Sequence, residues 1–241
     1  MAKPKQTRVY RYDFRGYHNV AATASQLGGP WCKAVTASAG SPTVRGVNGG
    51  GIRLQMDSTV EIQNLCLYMG DVLPFTITEI IRYWAIVKAG QTFDSTSQVA
   101  WGFCSARNDA IDSLTEQASF RCIANNTVVV ETDDGTNDNN DVATGLTLES
   151  SDWQRFEIEM AEGITTMEPP TASVGRTSNI RFFGGNTYGS KRRVASGTRF
   201  DMSNYTSGLQ LFFQLQKTSD ANADDFDILE CGVEVELGEY A

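Results

Sequence analysis

Apolar residues in this chain recur at every second position, and almost nowhere at every third or fourth. Ile52, Leu54 and Met56 alternate in "GIRLQMD", Val99, Trp101 and Phe103 in "QVAWGFCS", and Phe156, Ile158 and Met160 in "WQRFEIEM". A period of two places one apolar face along an extended strand. The same reading covers "TVEIQNLCLYM", "NTVVVETD", "NIRFF", "LQLFFQLQ" and "FDILECGVEVEL". "IIRYWAIVK" (80–88) is short for a helix and rich in β-branched and aromatic residues, so it reads as a buried strand. Gly, Asn, Asp and Ser supply the breaks between runs.

Three segments depart from the pattern. "NDAIDSLTEQASF" (108–120) carries Ile111, Leu114 and Ala118 at helical spacing and reads as a loop with one helical turn. Residues 161–179 contain Pro169 and Pro170 without periodicity and read as a long surface loop. Residues 21–51, small and ending in "NGGG", read as loop with one short strand around Trp31 to Val35. Ten or more strands without intervening helices predict an all-β, two-sheet antiparallel jelly-roll sandwich. A chain of 241 residues is too long for one immunoglobulin-like domain of about 100 residues. The expected organisation is a basic N-terminal arm over residues 1–20, extended, and a single sandwich domain over 21–241.

Several segments together carry a resemblance. "SSDWQRFEIEM" resembles the strand of concanavalin A-like jelly rolls (laminin-G, lectin and glucanase type) that opens with tryptophan and then alternates. "NIRFFGGNTYGSKRRVASGTRFDMSN" resembles the following hairpin, and "GLQLFFQLQKTSDANADDFDILECGVEV" the closing pair of strands. With "VAWGFCSARND", residues 50 to 238 also look like virion structural proteins of tailed bacteriophages that carry this sandwich, capsid decoration (cement) proteins among them. The resemblance implies the sandwich fold and a structural role on a virion.

Charge is unevenly placed. The net charge is −9, yet Lys3, Lys5, Arg8, Arg11 and Arg15 give residues 1–15 a net +4 against Asp13, leaving the remainder near −13. An acidic body repels phosphates, which argues against nucleic-acid binding. A basic arm suits an acidic protein surface, or is a frayed terminus. The polar, basic opening lacks the apolar stretch of a secretory signal, and no run is long enough to span a membrane, so folding in a cytoplasm is expected. Five scattered cysteines, no CxxC pair and one histidine speak against a zinc site or disulfide framework and for buried thiols.

Few residue patterns point to chemistry. Glu157, Glu159 and Glu162 resemble the E-x-D-x-x-E signature of laminarinase-like glucanases, with glutamate in the central position. Alternation with Phe156, Ile158 and Met160 instead makes Glu157 and Glu159 solvated strand residues. His18 has no nucleophile elbow near it, and "GVNGGG" (46–51) lacks the Lys-Ser/Thr of a phosphate loop. "DDGTNDNNDVATG" (133–145) fits no EF-hand frame. It reads as an acidic turn between strands, with a looser calcium site through Asp133, Asp134, Asp138 and Asp141 as the alternative. The second acidic loop, "SDANADDFD" (219–227), carries the same two readings. "SKRR", with Lys191, Arg192 and Arg193, is the one basic cluster in the body, either a solvated tip or a contact with an acidic neighbour. In the pairs Phe182–Phe183 and Phe212–Phe213 one ring must leave the core, to be covered by a loop or by a partner.

The expected function is therefore structural and non-enzymatic. Lys3, Lys5, Arg8, Arg11, Arg15, Lys191, Arg192 and Arg193 would grip a major capsid protein, and a homo-oligomer, a trimer above all, would decorate the virion surface after assembly in a host cytoplasm. The alternatives are a glycan-binding, lectin-like fibre or tail module, and a glycoside hydrolase acting through Glu157 and Glu162.

Overall fold

The computed structural model describes residues 6–15, 26–28, 30–160, 176–185 and 189–237. The strands are, in chain order, β1 (Gln6–Asp13), β2 (Gln26–Gly28), β3 (Trp31–Thr36), β4 (Thr43–Gly46), β5 (Ile52–Gln55), β6 (Glu61–Tyr68), β7 (Phe75–Thr76), β8 (Ile80–Ala89), β9 (Ser97–Cys104), β10 (Glu116–Ile123), β11 (Thr127–Asp134), β12 (Asp138–Thr147), β13 (Gln154–Met160), β14 (Ile180–Gly184), β15 (Arg192–Val194), β16 (Gly208–Asp220) and β17 (Asp225–Leu237). They form two antiparallel sheets. The first runs β15-β14-β13-β8-β17-β5-β4, with β1 also paired to β17, and the second runs β12-β11-β10-β9-β16-β6-β3-β2, with β7 also on β16. This is the two-sheet jelly-roll sandwich that the period-two pattern predicts.

The alternating residues meet between the sheets. Trp101 from the second sheet lies 5.1 Å from Phe156 and 5.4 Å from Phe226 of the first, ring centre to ring centre. Phe120 joins them, 5.0 Å from Phe156 and 5.2 Å from Phe182. Each such ring, withdrawn from water, contributes about 1.5–3 kcal/mol, and edge-to-face contacts add a little more. Gly102 permits the close approach of β9 to β10: at φ 147, a side chain there would meet the Ala118 carbonyl at 2.4 Å.

Several expectations change. The N-terminal segment is extended, but it is not an arm free of the domain. β1 pairs with β17 from Gln6 opposite Leu237 to Asp13 opposite Glu230. The reason is again alternation: Tyr10 and Tyr12 pack against the core, where Phe14 is buried, and Arg11 faces out. Residues 6–13 thus form part of the first sheet, while the expected boundary at residue 20 lies outside the described residues. Residues 21–51 hold more strand than expected, with β2 and β4 beside the β3 foreseen around Trp31. The 108–120 segment contains a single 3-10 turn, Ile111–Ser113, followed by β10. Most of the expected 161–179 loop lies outside the described residues. All five cysteines are free, and Cys66, Cys104, Cys122 and Cys231 are buried, where desolvation pushes their thiols up.

Candidate ligand-binding site

The outward face of the second sheet is polar, yet largely covered. Gln98 on β9, Gln210, Gln214 and Gln216 on β16, Asn64 on β6, and Gln117, Ser119 and Arg121 on β10 point away from the core, alternating with buried neighbours. The segment between β9 and β10 lies over them. Gln214 donates to the carbonyls of Asn108 (2.8 Å) and Asp109 (3.2 Å), and Gln210 to that of Ser105 (3.1 Å). The Ile111 N–H donates to Gln216 at 3.0 Å. Ile111 and Leu114 close a small second core on Phe212, Ala100 and Cys104. Phe212 is thus the ring covered by a loop, while Phe213 enters the main core.

At the β10–β11 side of this cover the face opens. Arg121 is the hub. Its guanidinium reaches Glu131 at 2.8 Å, Asp112 at 2.5 Å and Asp141 at 3.5 Å, and donates to Gln98 at 2.7 Å. Side-chain exposure grades outward across the cluster, from 3% at Glu131 and 11% at Arg121 to 51% at Asp141 and 63% at Asp112. Asp141 comes into place through a bulge: the β11–β12 register shifts between Val130 and Thr132, and Asp141 sits at φ 48. Bulges of this kind re-aim a side chain beside a site. Burial pushes the Glu131 carboxyl up from 4.5 to about 7, with the nearby Asp141 adding to the rise and the Arg121 charge opposing it. Two buried acceptors on the same face, Asn64 Oδ1 and Gln214 Oε1, have no partner among the described residues. Reading the sequence did not single out Arg121 or Glu131. The available signal was a charged residue inside each of two apolar runs, "SFRCI" and "VVVET".

The residues singled out beforehand scatter over other surfaces. Lys3, Lys5, His18 and Glu162 lie outside the described residues. Arg8 stacks over the Tyr10 ring at 4.7 Å. Arg11 pairs with Glu230 at 2.5 Å, and Arg15 with Asp13 at 3.0 Å. These three cations make contacts within the chain's own first sheet. Lys191 sits over Phe183 at 4.8 Å and pairs with Glu157, and with Glu159 at 3.5 Å. Arg192 donates to the Gly145 carbonyl at 3.4 Å, and Arg193 is exposed. Glu157 is not solvated as expected: it is 2% exposed, roofed by Lys191 and by Arg155 at 2.6 Å. Burial alone would push its carboxyl up, but those two cations outweigh it and hold it low. A carboxylate so enclosed reaches no glycosidic bond, and its outward direction is that of an ordinary strand residue.

The acidic stretches resolve into turns. The Asp134 carboxylate accepts from the N–H groups of Thr136 (3.0 Å), Asn137 (2.7 Å) and Asn204 (3.0 Å), and Asp133 from Gly135 (2.7 Å). Asp138 goes to Asn140 and Asp141 to Arg121, so the four aspartates do not converge. Among the described residues no three His, Cys, Asp or Glu side chains gather as metal ligands. In the 219–227 loop, Arg53 binds Asp225 at 2.5 Å and Asp227 at 2.6 Å. The cation organising that loop is a side chain. Lys217, fully buried, donates to the carbonyls of Asp57 (2.5 Å), Thr59 (3.0 Å), Asp220 (3.1 Å) and Asn222 (3.0 Å).

No sequence-family model matches this chain, and no curated protein resembles it in sequence. Solved structures do resemble it in fold. A protein of unknown function from Shewanella oneidensis MR-1 aligns over 100% of this chain and 92% of its own at TM-score 0.60 and 12% identity. The Emp47p carbohydrate recognition domain aligns over 94% and 95% at TM-score 0.56 and 11% identity. The exoplasmic/lumenal domain of VIP36, solved with Ca2+ and Man3GlcNAc, aligns over 88% and 85% at TM-score 0.56 and 7% identity. Peanut lectin aligns over 97% and 100% at TM-score 0.56 and 7% identity. The fold is the concanavalin A-like, legume-lectin-type jelly roll.

Proposed function

We propose that this chain is a carbohydrate-binding module, and that a sugar docks on the outward face of the second sheet where Arg121, Asp112, Asp141, Gln98 and Gln216 emerge from the cover. The observation that carries this reading is the Arg121 hub: a planar guanidinium fixed by three carboxylates, graded from buried Glu131 to exposed Asp112. Sugar hydroxyls pair well with such preset carboxylate, amide and guanidinium groups, because little ordering entropy remains to be lost on binding. The fold neighbours include a carbohydrate recognition domain and a structure with a bound oligosaccharide, which supports the reading by analogy of fold.

A grip on a major capsid protein, with trimers decorating a virion, rests on the resemblance to phage virion proteins and on the basic residues of the N-terminus and of 191–193. Arg11 and Arg15 have carboxylate partners in the chain itself. None of the neighbours reported above is described as a virion protein, so nothing favours that reading over sugar binding.

Screening the whole chain on a glycan array, then titrating the best ligand by calorimetry, tests the proposal. Asp112→Asn, on an exposed side chain, and Arg121→Met are expected to weaken binding at least about tenfold, the loss of one or more charge-assisted hydrogen bonds. Thermal melts verify that both variants are folded. An array without a specific glycan, or unchanged affinity in Asp112→Asn and Arg121→Met alike, overturns the proposal.

A further inference from the structure

At the β14–β15 edge of the first sheet lies an open depression of about 370 Å³, lined by Ser178, Asn179, Arg193, Ser196, Gly197, Thr198 and Arg199. It is built by the turn that follows β15. Ala195 adopts φ 50, and the Thr198 N–H closes the turn on the Ala195 carbonyl at 3.1 Å. A side chain at Gly197 would meet nothing within 4 Å, so the turn leaves open space beside it.

The lining is cationic in a chain that is otherwise acidic. Of the three cations of the "SKRR" stretch, Lys191 is held by Glu157 and Arg192 by the Gly145 carbonyl. Arg193 is exposed and has no ion-pair partner among the described residues. Arg199 touches Asp201 at 3.0 Å and the Ser178 carbonyl at 3.2 Å, while 67% of its side chain stays exposed. Two guanidiniums share one depression, Asp201 being the one carboxylate paired to them among the described residues, alongside the hydroxyls of Ser196 and Thr198 and the amide of Asn179. In a chain of net charge −9, two guanidiniums beside one depression make a locally positive spot that attracts an anion.

We propose that this depression binds a tetrahedral oxyanion, a sulfate or phosphate group. Forked guanidiniums engage such oxygens two at a time, and hydroxyls supply the remaining donors. The site is on the opposite sheet from the Arg121 hub, and the proposal does not rest on sugar binding there. The oxyanion arrives either free or as the ester of a saccharide.

The experiment is a titration of the full chain at low salt, followed by amide NMR, with inorganic sulfate, inorganic phosphate, a sulfated oligosaccharide and its neutral parent. Saturable shifts at Gly197 and Thr198 with an inorganic anion are expected. They should weaken at least about tenfold in the Arg193→Gln/Arg199→Gln double variant, whose side chains are exposed and whose fold should persist. Tighter binding of the sulfated oligosaccharide than of inorganic sulfate identifies an esterified saccharide as the source, and equal binding identifies the free anion. Lys at both positions should restore only part of the affinity, because an ammonium lacks the fork. No saturable response to either inorganic anion, or the same response in the double variant, overturns the proposal.

Discussion

Replacing Lys217 with methionine is the sharpest test of how the acidic loops are held. The ammonium is fully buried and donates to four backbone carbonyls, from Asp57, Thr59, Asp220 and Asn222. Those carbonyls belong to two separate segments, so the lysine ties the loop before β6 to the loop between β16 and β17. Methionine keeps an apolar stem of similar reach and removes the ammonium, with its charge and its three N–H donors. The ammonium has three N–H donors, one of them shared between two of the four carbonyls, and hydrogen bonds to a charged group are worth about 1.5–3 kcal/mol each, so three amount to roughly 4.5–9 kcal/mol. Against this stands the several kcal/mol spent in taking an ammonium out of water. The net loss should be about 3 kcal/mol, because the abandoned carbonyls gain only partial access to water. For a chain of this size that lowers the melting temperature by roughly 6–12 °C. Thermal and urea unfolding of Lys217→Met, beside Arg8→Met as a surface control expected within about 0.5 kcal/mol, measures it. If Lys217→Met lost less than about 1 kcal/mol, the carbonyl cage would not be what fastens these loops. A companion variant sharpens the point: in Lys217→Ala, potassium or methylammonium should restore part of the lost melting temperature and leave the wild type unchanged.

Two further outcomes follow from the same geometry. Glu131 binds its proton more tightly in the folded chain than in the unfolded one, with its carboxyl raised from 4.5 to about 7. Its contribution is therefore full below about pH 4.5 and is lost as pH rises through about 7, a change of at most about 3 kcal/mol. Glu131→Gln should flatten the fall in melting temperature between pH 5 and pH 8, and an unaltered pH profile refutes the assignment. At Gly232 an added Cβ would meet the Trp84 ring at 2.2 Å. Gly232→Ala should therefore displace the ring, break its 3.1 Å hydrogen bond to Glu230 and cost about 1–3 kcal/mol, read by tryptophan fluorescence and urea unfolding.

Much of the fold was legible because alternation is a local property. Val99, Trp101 and Phe103 announce their face without reference to any other strand, and so do Phe156, Ile158 and Met160. The sheet order was not legible, since nothing in "RVYRYDF" says that β1 will pair with β17 some 220 residues away. The same strand shows why the partners of its charges could not be read from sequence. Counting cations assigns Arg11 to the solvent, whereas register brings its side chain to Glu230, 219 positions along the chain.

The candidate site was hidden for a related reason, and the comparison of two glutamates makes it plain. Glu157 and Glu131 both alternate with apolar neighbours, both point outward from their sheets and both end up nearly fully buried, at 2% exposure each. Strand periodicity gives them one description. What separates them is the company supplied by distant parts of the chain. Glu157 receives Lys191 and Arg155, two cations for one carboxylate, and its proton is held weakly. Glu131 shares one cation, Arg121, with Asp112 and Asp141, and burial prevails, so its proton is held tightly. One arrangement is a closed structural clamp. The other is short of positive charge and long on acceptors, and part of it remains open to water. A ligand rich in hydroxyl donors matches that imbalance, since each hydroxyl can donate to a carboxylate oxygen that Arg121 alone leaves incompletely satisfied.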